Sequence, residues 1–171
     1  ADLLKRNSLS FLRGGLFKLR SSADSFQGLG ADGFELVKRL KQQYKLHFVC
    51  EISDPRHIGD YIQWVDLFQV GSRNMHNYAL LKELGQCDKP VLLKRGFCAT
   101  IDEWLLATDY ITKGICPGVI LCERGIRTFE SKTRNTLDLA AVAYVKKHTS
   151  FPVIVDPSHG TGRSELVHAM S

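Results

Sequence analysis

A chain of 171 residues, 44% hydrophobic and 24% charged, has the composition of one ordinary globular domain with room for a sizeable core. Disorder, a collagen-like fibre and a low-complexity linker are excluded, and no apolar run approaches the roughly 20 residues of a membrane span. The net charge of +5 suits nucleic acid and small phosphorylated substrates alike, so the placement of the charges must decide between them.

The chain starts on a helix-like segment, and the first apolar run is Ser10-Phe11-Leu12. Gly28-Leu29-Gly30-Ala31-Asp32-Gly33 then matches GxGxxG, but a polar loop separates it from the strand that a dinucleotide fingerprint requires, so tight glycines at a helix start are expected. Asp32 and Glu35 predict a capping box for a helix over residues 34–44, whose Phe34, Val37, Leu40 and Tyr44 share a face. His47-Phe48-Val49-Cys50 is the second run, and Asp54-Pro55 reads as an N-cap followed by proline at the first helical position. Leu67-Phe68-Gln69-Val70 and Val91-Leu92-Leu93 follow. Thr100 and Glu103 predict a second capping box, for a helix over residues 101–113 ended by Gly114. Val119-Ile120-Leu121-Cys122, a helix over residues 137–148, Val153-Ile154-Val155 and a helix over residues 163–170 complete the series.

Short β-branched runs alternating with helices predict buried parallel strands in an α/β fold. The order alone leaves a barrel and an open doubly wound sheet both open. A (β/α)8 barrel takes about 250 residues, whereas this chain has room for six strand–helix units. Residues 1–171 therefore read as a single domain whose two ends look cut. Five cysteines, odd in number and without a CxxC pair, fit a reducing cytosol, and the first residues lack a signal peptide's apolar stretch. Cys50, Cys98 and Cys122, at or near strand ends, are expected to be small buried hydrophobes.

The residues after the runs carry the chemistry. They are Arg13-Gly14-Gly15, Glu51, Gly71-Ser72-Arg73-Asn74, Lys94-Arg95-Gly96, Glu123-Arg124-Gly125 and Asp156-Pro157-Ser158-His159. In parallel α/β folds the C-terminal strand ends line the active site. Arg13, Arg73, Lys94, Arg95 and Arg124 there predict a convergent pocket for an anion, since repelling cations on one rim cost stability unless an anion neutralises them. Lys18, Arg20 and Ser21 extend the cations and hydroxyls into the next loop, which suits a second phosphate. His159 beside Asp156 is the one histidine placed for a metal or acid–base role.

Six stretches together carry a resemblance: Phe11-Leu12-Arg13-Gly14-Gly15, Ser25-Phe26-Gln27-Gly28-Leu29-Gly30, Gly71-Ser72-Arg73-Asn74, Pro90-Val91-Leu92-Leu93-Lys94-Arg95-Gly96-Phe97, Ile120-Leu121-Cys122-Glu123-Arg124-Gly125-Ile126-Arg127-Thr128-Phe129 and Val155-Asp156-Pro157-Ser158-His159. The chain resembles the 3-deoxy-D-arabino-heptulosonate 7-phosphate (DAHP) synthases, in the short-chain class related to 3-deoxy-octulosonate 8-phosphate synthase. The resemblance implies a (β/α)8 TIM barrel, of which residues 1–171 would be a single catalytic-type domain, incomplete and truncated at both ends. It also implies a transferase that condenses phosphoenolpyruvate with erythrose 4-phosphate and releases phosphate, the first step of the shikimate pathway to aromatic amino acids. It implies phosphoenolpyruvate contacts at Arg13, Lys18, Arg73, Lys94 and Arg124, aldose-phosphate contacts at Arg20 and Ser21, and Glu51 lining the same pocket. Lys18, Lys94 and His159 would be the catalytic residues, with His159 as ligand to a divalent metal, Mn²⁺ or similar. The family loop Lys-Pro-Arg-Thr has Leu19 and Ser21 in place of its proline and threonine. The resemblance also puts the family's first strand before Ala1 and its eighth after Ser171, so its other metal ligands have no counterpart here. A homo-oligomer in the cytoplasm is expected, with no membrane or nucleic-acid partner. An octulosonate-type synthase and a non-catalytic phosphoanion-binding remnant of such a barrel are the alternatives.

Overall fold

A computed structural model describes residues 2–16, 24–26, 28–30 and 32–171. Six strands, β1 (Phe11–Gly14), β2 (His47–Ile52), β3 (Leu67–Val70), β4 (Val91–Lys94), β5 (Val119–Glu123) and β6 (Val153–Val155), form one sheet. All neighbours pair in parallel and the strand order is the chain order. Every expected run is a strand, and four run further along the chain: β1 through Arg13 and Gly14, β2 through Glu51 and Ile52, β4 through Lys94, β5 through Glu123. The ladder is made by backbone groups, so pairing such as Lys94 with Cys122 continues where the apolar pattern stops.

The helices are α1 (Asp2–Arg6), α2 (Asp32–Tyr44), α3 (Ile58–Tyr61), α4 (Tyr78–Gly85), α5 (Ile101–Thr112), α6 (Leu139–His148), α7 (Pro157–Thr161) and α8 (Ser164–Val167). At α5 the capping box is present as expected: the Thr100 hydroxyl accepts from the Glu103 backbone N–H, and the Glu103 carboxylate accepts from that of Thr100. Asp54 likewise caps a short 3-10 turn, Pro55–His57, rather than a full helix. Asp32, expected as a cap, lies inside the first turn of α2, where an acid suits the helix dipole. The segment expected as one helix over residues 163–170 divides into α8 and a 3-10 turn, His168–Met170. The GxGxxG stretch serves a helix start as expected: Gly30 donates its backbone N–H to Leu16 and Gly33 packs beneath that side chain ahead of α2.

Strand alternation sorts side chains onto two faces. Phe48, Cys50, Ile52, Phe68, Val70, Val91, Leu93 and Leu121 join the main core with Val37 of α2, Leu80, Leu81 and Leu84 of α4, Trp104 and Ile111 of α5 and Val145 of α6. The intervening residues Val49, Leu67, Leu92 and Cys122 form a separate small cluster to which no helix contributes. Among the described residues α2 to α6 pack on one face only, and with strands in sequential order this means barrel winding. A doubly wound sheet would reverse its strand order and carry helices on both faces. The inner face is the barrel's concave side. Each buried aliphatic side chain on the helix face stabilises the fold by about 1.5–3 kcal/mol relative to exposure, so the helix side holds the sheet in shape and leaves the inner side free for polar residues.

Candidate active site

Parity fixes what reaches the concave face at the C-terminal strand ends. Arg13 lies two residues after inward-facing Phe11, Glu51 two after Val49, Gln69 two after Leu67 and Lys94 two after Leu92. Two hydrogen-bonded strings result. In the first, Arg13 Nη1 donates to Gln69 Oε1 at 3.3 Å, and Gln69 Nε2 donates to Glu51 Oε2 at 3.4 Å. Glu51 has room because residue 71 is glycine: a Cβ there would sit 2.3 Å from its Oε1.

The second string is charged. Lys94 Nζ donates to Asp156 Oδ2 at 2.7 Å, and His159 Nδ1 lies 2.7 Å from the same oxygen. The other Asp156 oxygen, Oδ1, accepts the His159 backbone N–H that starts α7. Burial alone would push the Asp156 carboxyl up, but the His159 and Lys94 hydrogen bonds and the Lys94 charge outweigh it and hold this acid far below the usual carboxylate range. Asp156 is therefore a fixed anion that orients both partners.

Arg124 is only 3% exposed, and its guanidinium carbon lies 4.7 Å from the centre of the Phe97 ring. Arg73 reaches the same ring at 5.7 Å and Arg127 at 5.0 Å. Burial, and then the like charge of Arg134, lower the Arg124 pKa, partly countered by Asp156 and Glu123. Arg73, Lys94 and Arg124 thus share one end of the sheet, as expected.

Arg95 does not join them. One residue beyond Lys94, it turns to the helix side, 4% exposed, where its Nη1 meets Glu123 Oε2 at 2.9 Å and Asp138 Oδ2 at 3.0 Å. Its Nε donates to the Ala99 carbonyl at 3.0 Å, and its guanidinium faces Trp104. The expectation that Arg95 binds substrate is corrected: its charge is already spent on two carboxylates behind the site. Glu123, wholly buried, uses its other oxygen to accept the Gly125 backbone N–H at 2.6 Å, which fixes the turn that carries Arg124 inward. Gly125 has φ +92°, and a Cβ there would meet Gly160 Cα at 2.9 Å, so the turn requires glycine.

Lys18, Arg20 and Ser21 lie outside the described residues. Cys50 and Cys122 are buried as expected, with burial raising their pKa values to about 11 and about 12, but Cys98 is exposed, at the tip of the tight turn that the Ala99 N–H to Gly96 carbonyl bond closes. Gln69, Phe97 and Arg127 join the site without standing among the expected contacts. A glutamine inside an apolar run, here 2% exposed, is the signal that could have marked Gln69.

His159 suits one metal bond: a carboxylate holds Nδ1 and leaves Nε2 to coordinate, the arrangement usual behind metal-bound histidines. Among the described residues no group of three or more His, Cys, Asp or Glu is placed to hold an ion. Among the same residues no helix is long and apolar enough to cross a membrane.

The model of the DAHP synthetase I family matches residues 1–171. A phospho-2-dehydro-3-deoxyheptonate aldolase from Thermotoga maritima is 44% identical over 171 residues, which are 100% of this chain and 51% of that protein. A 2-dehydro-3-deoxyphosphooctonate aldolase from Francisella tularensis subsp. holarctica is 29% identical over 147 residues, 82% of this chain and 50% of its own length. The crystal structure of a T. maritima phospho-2-dehydro-3-deoxyheptonate aldolase (DAHP synthase) superposes with a TM-score of 0.94 at 43% identity, over 99% of this chain and 49% of that one. A truncated form of the T. maritima synthase gives 0.90 at 42% identity, over 99% of this chain and 62% of the other. The chain spans about half the length of the curated relatives it matches.

Proposed function

The chain belongs to the DAHP synthetase I family, and on that premise we propose that it supplies the phosphoenolpyruvate-binding part of a DAHP synthase. The reaction joins phosphoenolpyruvate to erythrose 4-phosphate with release of inorganic phosphate. The observation that carries this reading is the meeting of Arg73 and Arg124 over one ring, on the rim that also bears the Lys94–Asp156–His159 string.

Arg73, Arg124 and Lys94 take the phosphate and carboxylate of phosphoenolpyruvate, guanidinium forks matching both groups bidentately. Held by both ends, the enol presents C3 to the aldehyde carbon, which replaces a bimolecular encounter by a fixed geometry. A C–C bond forms between them, cationic character develops at C2, and water adds there. The tetrahedral species then expels phosphate to leave the ketone. No residue bonds covalently to substrate, in keeping with buried Cys50 and Cys122 thiols that burial keeps protonated. Asp156 holds the Lys94 side chain at the rim and fixes the His159 ring. Arg13 and Glu51 line the far side of the pocket, bridged by Gln69. Lys18 belongs with the phosphoenolpyruvate contacts, and Arg20 and Ser21 take the aldose phosphate.

Enzymes of this family are generally metal-dependent. His159 would hold a divalent metal through Nε2 as one of its ligands, and such a metal would supply Lewis-acid polarisation of the aldehyde. The same reading has the protein act in the cytoplasm as a homo-oligomer.

The test is phosphate release by the intact protein with Mn²⁺ and phosphoenolpyruvate, offered erythrose 4-phosphate or arabinose 5-phosphate. Turnover with erythrose 4-phosphate is expected. Preference for arabinose 5-phosphate would transfer the chain to the octulosonate reaction, and phosphoenolpyruvate binding without turnover of either aldose would leave a non-catalytic anion-binding barrel.

A further inference from the structure

Three guanidinium groups share one phenyl ring, and they come from separate places in the chain: Arg73 from the turn after β3, Arg124 directly after β5, Arg127 three residues later. Phe97 itself follows β4. Its carbonyl accepts the Arg127 backbone N–H at 2.7 Å, so the loop after β5 is tied to the ring's own residue. The preceding Gly96 is buried with its N–H on the Met75 sulfur at 3.0 Å, which anchors Phe97 from behind. The ring is therefore a fixed post and the guanidiniums are what it holds.

From this we infer that Phe97 is a positioning residue that gathers Arg73, Arg124 and Arg127 into a single anion-binding cluster, with Arg127 a third guanidinium for a substrate phosphate. The inference rests on the phosphoenolpyruvate reading for the identity of the substrate, but not for the existence of the cluster. Two physical points carry it. The negative face of an aromatic ring attracts cations, but one ring has two faces and cannot neutralise three full charges. Among the described residues neither Arg124 nor Arg127 has a carboxylate within ion-pair distance, unlike Arg95 close by with two. Arg124 and Arg127 are thus brought together without being neutralised, and a dianion with several acceptor oxygens is the ligand class that completes the cluster.

A leucine at position 97 would keep apolar volume and lose the ring, whereas tyrosine would keep both. The test titrates the intact protein with inorganic phosphate by calorimetry at two salt concentrations, and measures KM and kcat for phosphoenolpyruvate in parallel. Phe97→Leu is expected to weaken phosphate binding by about tenfold and to raise KM by a similar factor with kcat within about twofold, while Phe97→Tyr stays within about threefold of the parent. Arg127→Gln is expected to weaken phosphate binding by about fivefold and to flatten its salt dependence.

Unchanged phosphate affinity in Phe97→Leu, or equal losses in the leucine and tyrosine variants, would overturn the role of the ring. If Phe97→Leu fails to fold, Phe97→Tyr and Arg127→Gln decide the matter, and wild-type affinity and salt dependence in Arg127→Gln would remove Arg127 from the cluster. Phosphate binding that responds to these substitutions in a protein unable to turn over phosphoenolpyruvate would refute the reaction and leave the cluster standing.

Discussion

Lys94 and Arg95 are neighbours of the same charge at the same strand end, with opposite fates. Lys94 is on the concave face, held through one carboxylate that it shares with His159. Arg95 is on the helix face, clasped by Glu123, Asp138 and the Ala99 carbonyl. Among the described residues Arg124, on the concave side, has no carboxylate at ion-pair distance, whereas Arg95, on the helix side, has two. Strand parity decides which of two adjacent cations reaches the concave side and which is locked among the helices.

The sharpest way to break this comparison is Glu123→Ala. Removing one member of a buried ion pair is expected to cost about 3–5 kcal/mol, because Arg95 would keep its charge without its main partner. Chemical denaturation would measure it, and a loss under about 1 kcal/mol would mean that the helix-side network is not structural. Arg124→Ala is the matching change on the concave side. It is expected to lower kcat/KM for phosphoenolpyruvate roughly tenfold or more, the loss of a charge-assisted contact worth about 1.5–3 kcal/mol, with less effect on stability than Glu123→Ala. Steady-state kinetics beside a melt of the same variant would separate the two sides.

Asp138→Asn sharpens the comparison through pH. Burial pushes the Asp138 carboxyl up, but the Ala141 backbone N–H and the Arg95 guanidinium outweigh it and hold the pKa below the usual range. A depressed folded pKa gives stability that is present above the unfolded value of about 3.9 and lost as pH falls through the folded one. The asparagine amide oxygen can still cap α6, so the variant is expected to be about 1.5 kcal/mol less stable at pH 7, with the deficit shrinking below about pH 4. Melts at pH 7 and pH 3 test this, and a deficit that stays constant would refute it. Thr100→Ala, in the capping box of α5, gives the smallest effect: about 1 kcal/mol of stability, read from the melting temperature, with kcat/KM unchanged.

Much of this architecture is visible in the sequence. Each apolar run is a strand, because residues buried on both faces of a parallel sheet leave continuous β-branched stretches. The choice between barrel and open sheet is not local information: it lies in which strands pair, and sequential pairing with helices on one face settles it. α4 leaves little trace in the pattern because it has only eight residues and follows a polar turn, although Leu80, Leu81 and Leu84 are wholly buried. In the site, the strand-end cations are legible as a set. Their division is not, because Lys94-Arg95 reads as one basic pair until the strand's last inward residue is known. Phe97 looks like filler beside a basic motif, and only the folded chain brings Arg73, Arg124 and Arg127 to it from separate segments.

The exposure of Cys98 in the turn after β4 has a practical consequence for anyone wishing to watch the site fill. Of the free cysteines, Cys50, Cys87 and Cys122 are buried and Cys116 is half-buried, while Cys98 alone is exposed, one residue from the ring. Thiol reactivity needs both access and thiolate, and burial raises the pKa of the other four. A maleimide dye added at limiting stoichiometry will therefore report from Cys98 on the native chain. Quenching by a titrated anion would turn the loop into an optical gauge of occupancy without any engineered residue.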